Sequence, residues 1–180
     1  MRTFEPGGWA GGAVLRSLLL DGDLRDARAE LLLFLADRAG HVATVVRPAL
    51  EAGRDVVCER YSDSTWAYQA GGRGLDCGRV GRLMDACGFP EPDLTVLLDI
   101  EPEEAAARLA GRGGADRIEG AGLEFMSRVA RAYRERAAEF PGRILTISAV
   151  GTEDEVARRV EDGVEAFLGT VQGRKGESLP

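Results

Sequence analysis

Three short runs dense in β-branched and aliphatic residues decide most of what this chain can fold into: DVVCERY at 55–61, LTVLLDI at 94–100 and RILTISAV at 143–150. Each is short for a core helix and too continuous to alternate between core and solvent. That is the pattern of parallel strands covered on both faces. Helical stretches fill the intervals, at about 12–20, 24–39, 41–52, 62–69, 76–87, 103–112, 123–140 and 153–168, with glycine or proline in most of the gaps. A further scrap of strand, residues 1–4, runs at once into a Pro-Gly-Gly turn. The expected class is α/β, a parallel sheet with helices on both faces. One domain is expected over 1–168, with no internal repeat or linker, and a flexible tail over 169–180.

Composition narrows the function classes. A length of 180 residues is enough to bury a real core. The net charge of −7 argues against a general nucleic-acid or anionic-membrane binder, so any anion site must be a local focus of positive charge. Cys58, Cys77 and Cys87 show neither metal-ligand pairing nor a disulfide framework, as expected of a cytoplasmic protein. No apolar run reaches the ~18 residues of a membrane span. Of the 23 basic residues only Lys175 is a lysine, so the anion-binding capacity lies in arginine, whose planar fork grips phosphate and carboxylate.

In open α/β sheets ligands gather beyond the carboxyl ends of the strands. There the segment CERYSDSTWAYQ (58–69) places Glu59 and Arg60 at a strand end, then hydroxyl and capping residues, Thr65 among them, then Tyr68 and Gln69 one turn on. An arginine here can fork onto a phosphate while a neighbouring carboxylate orients a hydroxyl or a metal. A surface ion pair with an ordinary N-cap would read the same way. In AELLLFLADRAGHV (29–42), Phe34 and Arg38 stand four apart on one helix face, a match for a flat base with a polar edge. A core phenylalanine beside a solvated arginine is the plainer alternative. RLAGRGGADRIEG (108–120) sets Arg108, Arg112 and Arg117 around a Gly-Gly hinge, which suits either a lid over phosphates or a solvated loop. His41, the only histidine, is expected to be structural, and Trp9 and Trp66 to fill space.

Taken in order, FEPGG, LLFLADRAGHV, ERYSDSTWAYQ, PDLTVLLDI and DRIE resemble the thymidylate kinase family, from about residue 3 to residue 168. The resemblance implies a three-layer fold of the P-loop-kinase type and transfer of the γ-phosphoryl of ATP to dTMP with Mg²⁺. It implies Phe34 stacked on thymine, Arg38 at the base edge, Thr65 and Gln69 on the base and sugar side, and Tyr68 near the deoxyribose. Arg60 and Arg16 would hold the dTMP phosphate and Glu5 would sit close by. Arg108, Arg112 and Arg117 would cover ATP, with Arg60, Glu59, Arg112 and Arg117 serving the chemistry and Glu59 the metal. It also implies a homodimer, with the apolar faces of 24–39 and 123–140 as candidate contacts. Three positions depart from the family pattern: Glu59 replaces the usual aspartate, Phe4 the usual arginine before Glu-Pro-Gly-Gly, and Trp9 a common threonine.

Members of that family begin with a strand, a G-x-x-x-x-G-K-[ST] loop and a helix, and no stretch of this sequence matches the loop. The loop's amides cradle the phosphates and its lysine reaches the β and γ oxygens. The expectation is therefore a domain short of its first strand and P-loop, inactive as given, poorly soluble or partly molten, and left with a gap between the strands near 55–58 and 94–99. A start placed too far downstream or a truncated copy would account for it. The competing readings are a non-catalytic nucleotide-binding or regulatory relative, and another nucleoside or nucleotide kinase.

Overall fold

A computed structural model describes residues 1–110 and 116–176. In chain order the elements are β1 (Arg2–Phe4), α1 (Gly12–Asp21), α2 (Ala27–His41), α3 (Arg47–Glu51), β2 (Val57–Glu59), α4 (Ser62–Thr65), α5 (Cys77–Cys87), β3 (Thr95–Asp99), α6 (Pro102–Ala110), α7 (Leu123–Glu139), β4 (Ile144–Ser148) and α8 (Glu153–Gly176). A π-helical turn, Val42–Val46, joins α2 to α3, and a second, Trp66–Gly72, continues α4. The stretch 27–51 is thus one helical run rather than two separate helices, its π turn absorbing the change of phase. Helix α8 runs on to Gly176, past residue 168, where glycines at 169 and 173 had suggested a loose tail. No helix among the described residues is long and apolar enough to cross a membrane.

Every strand pairing is parallel, and the strands form two separate ladders, β1 with β2 and β3 with β4. Between β2 and β3 the described residues show no ladder. Alternation within the β3–β4 ladder reveals its two covered faces. Thr95 and Asp99 turn toward α7, since Asp99 accepts from Arg134 at 2.9 Å. Leu145 and Ile147 turn the other way, onto α8 at Gly163.

Local chemistry sets the helix starts. Asp26 caps α2 by accepting from the amides of Arg28 and Ala29, and Asp76 caps α5 through Arg79. Much of the apolar surface of α2 and α7 packs inside the chain. Leu31 and Leu35 join Val80 and Met84 in one cluster, while Phe125 and Val129 pack with Ala67 and Ile118 in another. Leu32 on α2 and Leu123 on α7 stay exposed.

The two ladders are bound together by a buried carboxylate. Asp63, at the start of α4, accepts from both terminal nitrogens of Arg143 at 2.7 Å, from Thr95 Oγ1 at 2.8 Å and from Arg136 Nε at 3.2 Å. One side chain thus links the segment following β2 to β3, α7 and the approach to β4. Burial alone would push the Asp63 carboxyl up, but Arg143 and its other donors outweigh that and hold it below the usual range.

Candidate nucleotide-binding site

Helices α2 and α4 and the turn after β1 enclose a cleft of about 500 Å³, part of it open to solvent. Each wall has a sequence reason. Phe34 and Arg38, one helical turn apart on α2, both reach it. Thr65 ends α4, and Tyr68 and Gln69 sit on the π-helical continuation, whose wider turn gives an amide of Arg73 bonded to the Tyr68 carbonyl at 2.8 Å. Glu5 and Pro6 come from the turn leaving β1. Arg60, just past β2, adopts φ 62°, a left-handed backbone that costs a non-glycine residue about 1–2 kcal/mol. Its guanidinium lies 5.0 Å from the centre of the Tyr68 ring.

Arg38 is the most constrained group in this cleft. It is 2 % exposed, with Nε donating to Glu5 Oε2 at 2.7 Å, Nη1 to Thr65 Oγ1 at 2.8 Å and Nη2 to the Tyr61 carbonyl at 3.1 Å. The rings of Tyr61 and Phe89 lie 5.1 and 5.7 Å from its guanidinium carbon. Of the five N–H groups a guanidinium carries, those bonds take three and leave two. Behind it, Glu5 Oε1 meets His41 Nδ1 at 2.9 Å, and His41 Nε2 meets Thr3 Oγ1 at 2.7 Å. The expected structural histidine is therefore the buried end of a polar chain that leads to the cleft.

The turn itself is pinned by Asp37. Both its oxygens accept from the Gly7 amide, at 3.1 and 3.0 Å, and Oδ1 also accepts from Trp9 Nε1 at 2.9 Å. Gly7 sits at φ 100°, a region open to glycine. Gly40 has to be small because a Cβ there would collide with the Trp9 ring at 2.4 Å. Trp9 is thus a clasp between turn and helix rather than simple filling.

Behind Gln69, Glu30 is 2 % exposed and serves three donor residues. Its Oε1 accepts from Gln69 Nε2 at 3.1 Å and Arg73 Nε at 3.0 Å. Its Oε2 accepts from Arg73 Nη2 at 2.9 Å and Arg117 Nη2 at 2.7 Å. Burial opposes its charge, but the two guanidinium groups and the amide hold its carboxyl below the ordinary range.

The sequence itself places this architecture among known proteins: a family profile named Thymidylate kinase matches residues 1–160. The chain belongs to the thymidylate kinase family. The thymidylate kinase of Synechococcus sp. (strain JA-2-3B'a(2-13)) is 50% identical over 167 residues, spanning 92% of this chain and 80% of the relative. That of Gloeobacter violaceus is 45% identical over 178 residues, spanning 97% and 84%. The crystal structure of thymidylate kinase from Ehrlichia chaffeensis superposes with a TM-score of 0.73 at 27% identity, covering 93% of this chain and 80% of that one. The thymidylate kinase family is one of nucleoside monophosphate kinases, and the chain shares its α/β fold.

Of the residues that the family resemblance assigned to dTMP, Glu5, Phe34, Arg38, Arg60, Thr65, Tyr68 and Gln69 border the one cleft. Arg16 does not; it donates to the Pro6 carbonyl at 2.7 Å and lies 5.5 Å from the Phe4 ring centre, bracing the turn from outside. Glu59 is exposed on β2 beside Arg60. Arg108 pairs with Glu104 at 2.6 Å and donates to the Ala149 carbonyl, at the end of the β3–β4 ladder and away from the cleft. Arg117 does not reach outward in this structure: all three of its nitrogens bond to Glu30 or to the carbonyls of Leu19 and Leu24. Arg112 lies outside the described residues. Glu30 and Asp37 escaped the sequence reading, and Asp63, one of the expected capping residues, binds Arg143, Thr95 and Arg136 instead. A signal for the first was present, since Glu30, Phe34 and Arg38 follow at steps of four along one stripe of α2.

One trio of side chains has the donor types of a metal site. Glu5, His41 and Cys58 are close enough together to share an ion. Both Glu5 oxygens and both His41 nitrogens already have protein partners, however. Burial pushes the Cys58 thiol up to about 12, leaving it a protonated and poor ligand. The cluster reads as structure. Glu59, an exposed carboxylate next to Arg60, has the donor type that Mg²⁺ takes, one carboxylate alongside phosphate oxygens.

Proposed function

We propose that the cleft is the dTMP-binding acceptor site of a thymidylate kinase, the enzyme type that phosphorylates dTMP to dTDP with ATP. The observation that carries this reading is the convergence of Phe34, Arg38 and Arg60 on one cleft: a flat ring, a guanidinium with two spare N–H groups, and a second guanidinium at a strand end. In this reading thymine stacks on Phe34 and meets Arg38 and Gln69 at its edge. Thr65 and Tyr68 flank the sugar, and Arg60 forks onto the 5′-phosphate, with Glu5 orienting Arg38 from behind. Held this way, the phosphate oxygen is positioned for in-line attack with its charge partly neutralised, which is most of what phosphoryl transfer asks of a protein. Mg²⁺, held through Glu59, would neutralise charge on the transferring phosphates. Arg108, Arg112 and Arg117 belong to the donor side in the same proposal, as does a cytoplasmic homodimer.

Calorimetric titration of the purified chain with dTMP tests the acceptor site. Saturable binding with a stoichiometry of one per chain is expected, lost with Arg60→Met; an absence of dTMP binding by the folded chain refutes the reading. For the donor side, these 180 residues contain no G-x-x-x-x-G-K-[ST] loop. Binding of dTMP without formation of dTDP in the presence of ATP and Mg²⁺ is accordingly the expected result for this chain. Turnover would show that other groups seat the triphosphate.

A further inference from the structure

Glu30 touches nothing in the cleft's opening, yet it decides which atom of Gln69 does. An ionised carboxylate only accepts hydrogen bonds, and Gln69 approaches Glu30 Oε1 at 3.1 Å. The Gln69 atom facing Glu30 must therefore be its NH2 group, and the assignment of the amide follows from chemistry rather than from electron count. Glu30 is itself held against rotation, since Arg73 bonds both of its oxygens and Arg117 one of them. Gln69 is 2 % exposed and borders the cleft beside Phe34 and Arg38. With one N–H of that group held on Glu30, its carbonyl oxygen is the acceptor that Gln69 has for a ligand.

We propose that Glu30 is a positioning residue that locks the Gln69 amide with its carbonyl toward the cleft, so that the pocket selects a pyrimidine carrying N3–H and a 4-oxo group over its 4-amino counterpart. The inference rests on reading the cleft as a pyrimidine nucleotide site and adds what sets its selectivity. Arg38 has only donors to offer and suits O4 of thymine. The Gln69 carbonyl has only acceptor capacity and suits N3–H. Cytosine inverts both positions, with an amino group at C4 and a bare N3, so that donor would face donor and acceptor would face acceptor. Two such mismatches in a buried pocket amount to a discrimination of roughly 100-fold.

Substituting Glu30→Gln undoes the lock. The amide oxygen of the new side chain would be drawn to the two arginines, which turns its NH2 toward Gln69 and favours a flipped Gln69 with its own NH2 in the cleft.

The test is a pair of titrations with dTMP and 5-methyl-dCMP, nucleotides that differ only at the edge in question. The wild-type chain is expected to prefer dTMP by roughly 100-fold. Glu30→Gln is expected to bring that ratio below about 5 or to reverse it, while Glu30→Asp, which keeps an acceptor-only group, and Arg73→Met, which leaves Gln69 on Glu30, retain the preference. If Glu30→Gln weakens both nucleotides by the same factor, or if the wild type binds both equally, the proposal is overturned while the nucleotide site stands. If the wild type binds neither, it is the site reading that fails. Should Glu30→Gln not fold, the wild type supplies a second measurement. In ¹⁵N-labelled protein one side-chain NH2 proton of Gln69 should exchange slowly and show no contact to bound dTMP, and contact of both protons with the base would overturn the lock.

Discussion

Two buried carboxylate–guanidinium clusters in this molecule look alike on paper and do different work. Around Asp63, the arginines 143 and 136 and the hydroxyl of Thr95 close on one another and join elements from both halves of the divided sheet. Around Glu5, Arg38 is held as firmly, but two of its five N–H groups lie outside those bonds and the residue borders a cleft. The lesson is that burial and pairing do not distinguish a structural arginine from a recognition arginine. What distinguishes them is where the donors left over from internal bonding point.

The comparison can be broken at either end. Asp63→Asn leaves two partly buried guanidinium groups without their counter-charge and should cost the most, on the order of 3–5 kcal/mol of stability, read by urea denaturation. A loss under about 1 kcal/mol would show that the ladders are held by other contacts. Next comes Arg38→Met, expected to weaken dTMP binding by roughly 10- to 100-fold, the worth of charged hydrogen bonds. An unchanged affinity would make Arg38 structural like Arg143. Phe34→Ala should follow with about a tenfold loss in dTMP affinity from the missing stack, measured in the same titration. At the bottom, Glu104→Gln removes one exposed i,i+4 partner of Arg108 and should leave the melting temperature unchanged.

Acid sharpens the contrast further. Asp63 and Glu30 both have folded carboxyls below their ordinary values of 3.8 and 4.5. Such groups bind fewer protons when folded than when unfolded, so the stability they supply is present above those ordinary values. It drains away as the pH falls past them toward the lowered folded pKa. Denaturation curves should be flat from neutrality down to about pH 5 and should then lose stability steeply, and Asp63→Asn should flatten the acid limb. An acid limb unchanged in that variant would mean that Asp63 carries no linkage.

Much of this was legible in the sequence because it rests on period and position. The three apolar runs contain β2, β3 and β4, and the four-residue step from Phe34 to Arg38 brings both to one cleft. What stayed hidden depends on partners far along the chain. Nothing near Asp63 indicates Arg143, eighty residues away, and Glu30 looks like any first-turn acid until Arg73, Arg117 and Gln69 fold onto it. Arg117 shows the same limit in reverse. A glycine-rich neighbourhood suggested an outward reach, whereas the carbonyls at the end of α1 and Glu30 take up its fork. The end of α8 was misplaced for a local reason, since glycine lowers helix propensity by about 1 kcal/mol without forbidding a helix.

The shortest ladder in the molecule carries an outsized share of the alignment. Thr3 and Glu5 both reach His41, and they do so because side chains on an extended strand repeat every second residue. Among the described residues three register pairs, at Arg2, Thr3 and Phe4, join β1 to β2. A slip of a single step there would exchange the two sides of the strand, turning Arg2 and Phe4 toward the imidazole and sending the carboxylate that steadies Arg38 out into water. The setting of Arg38 in the cleft thus depends on whether these three residues are threaded in the right phase.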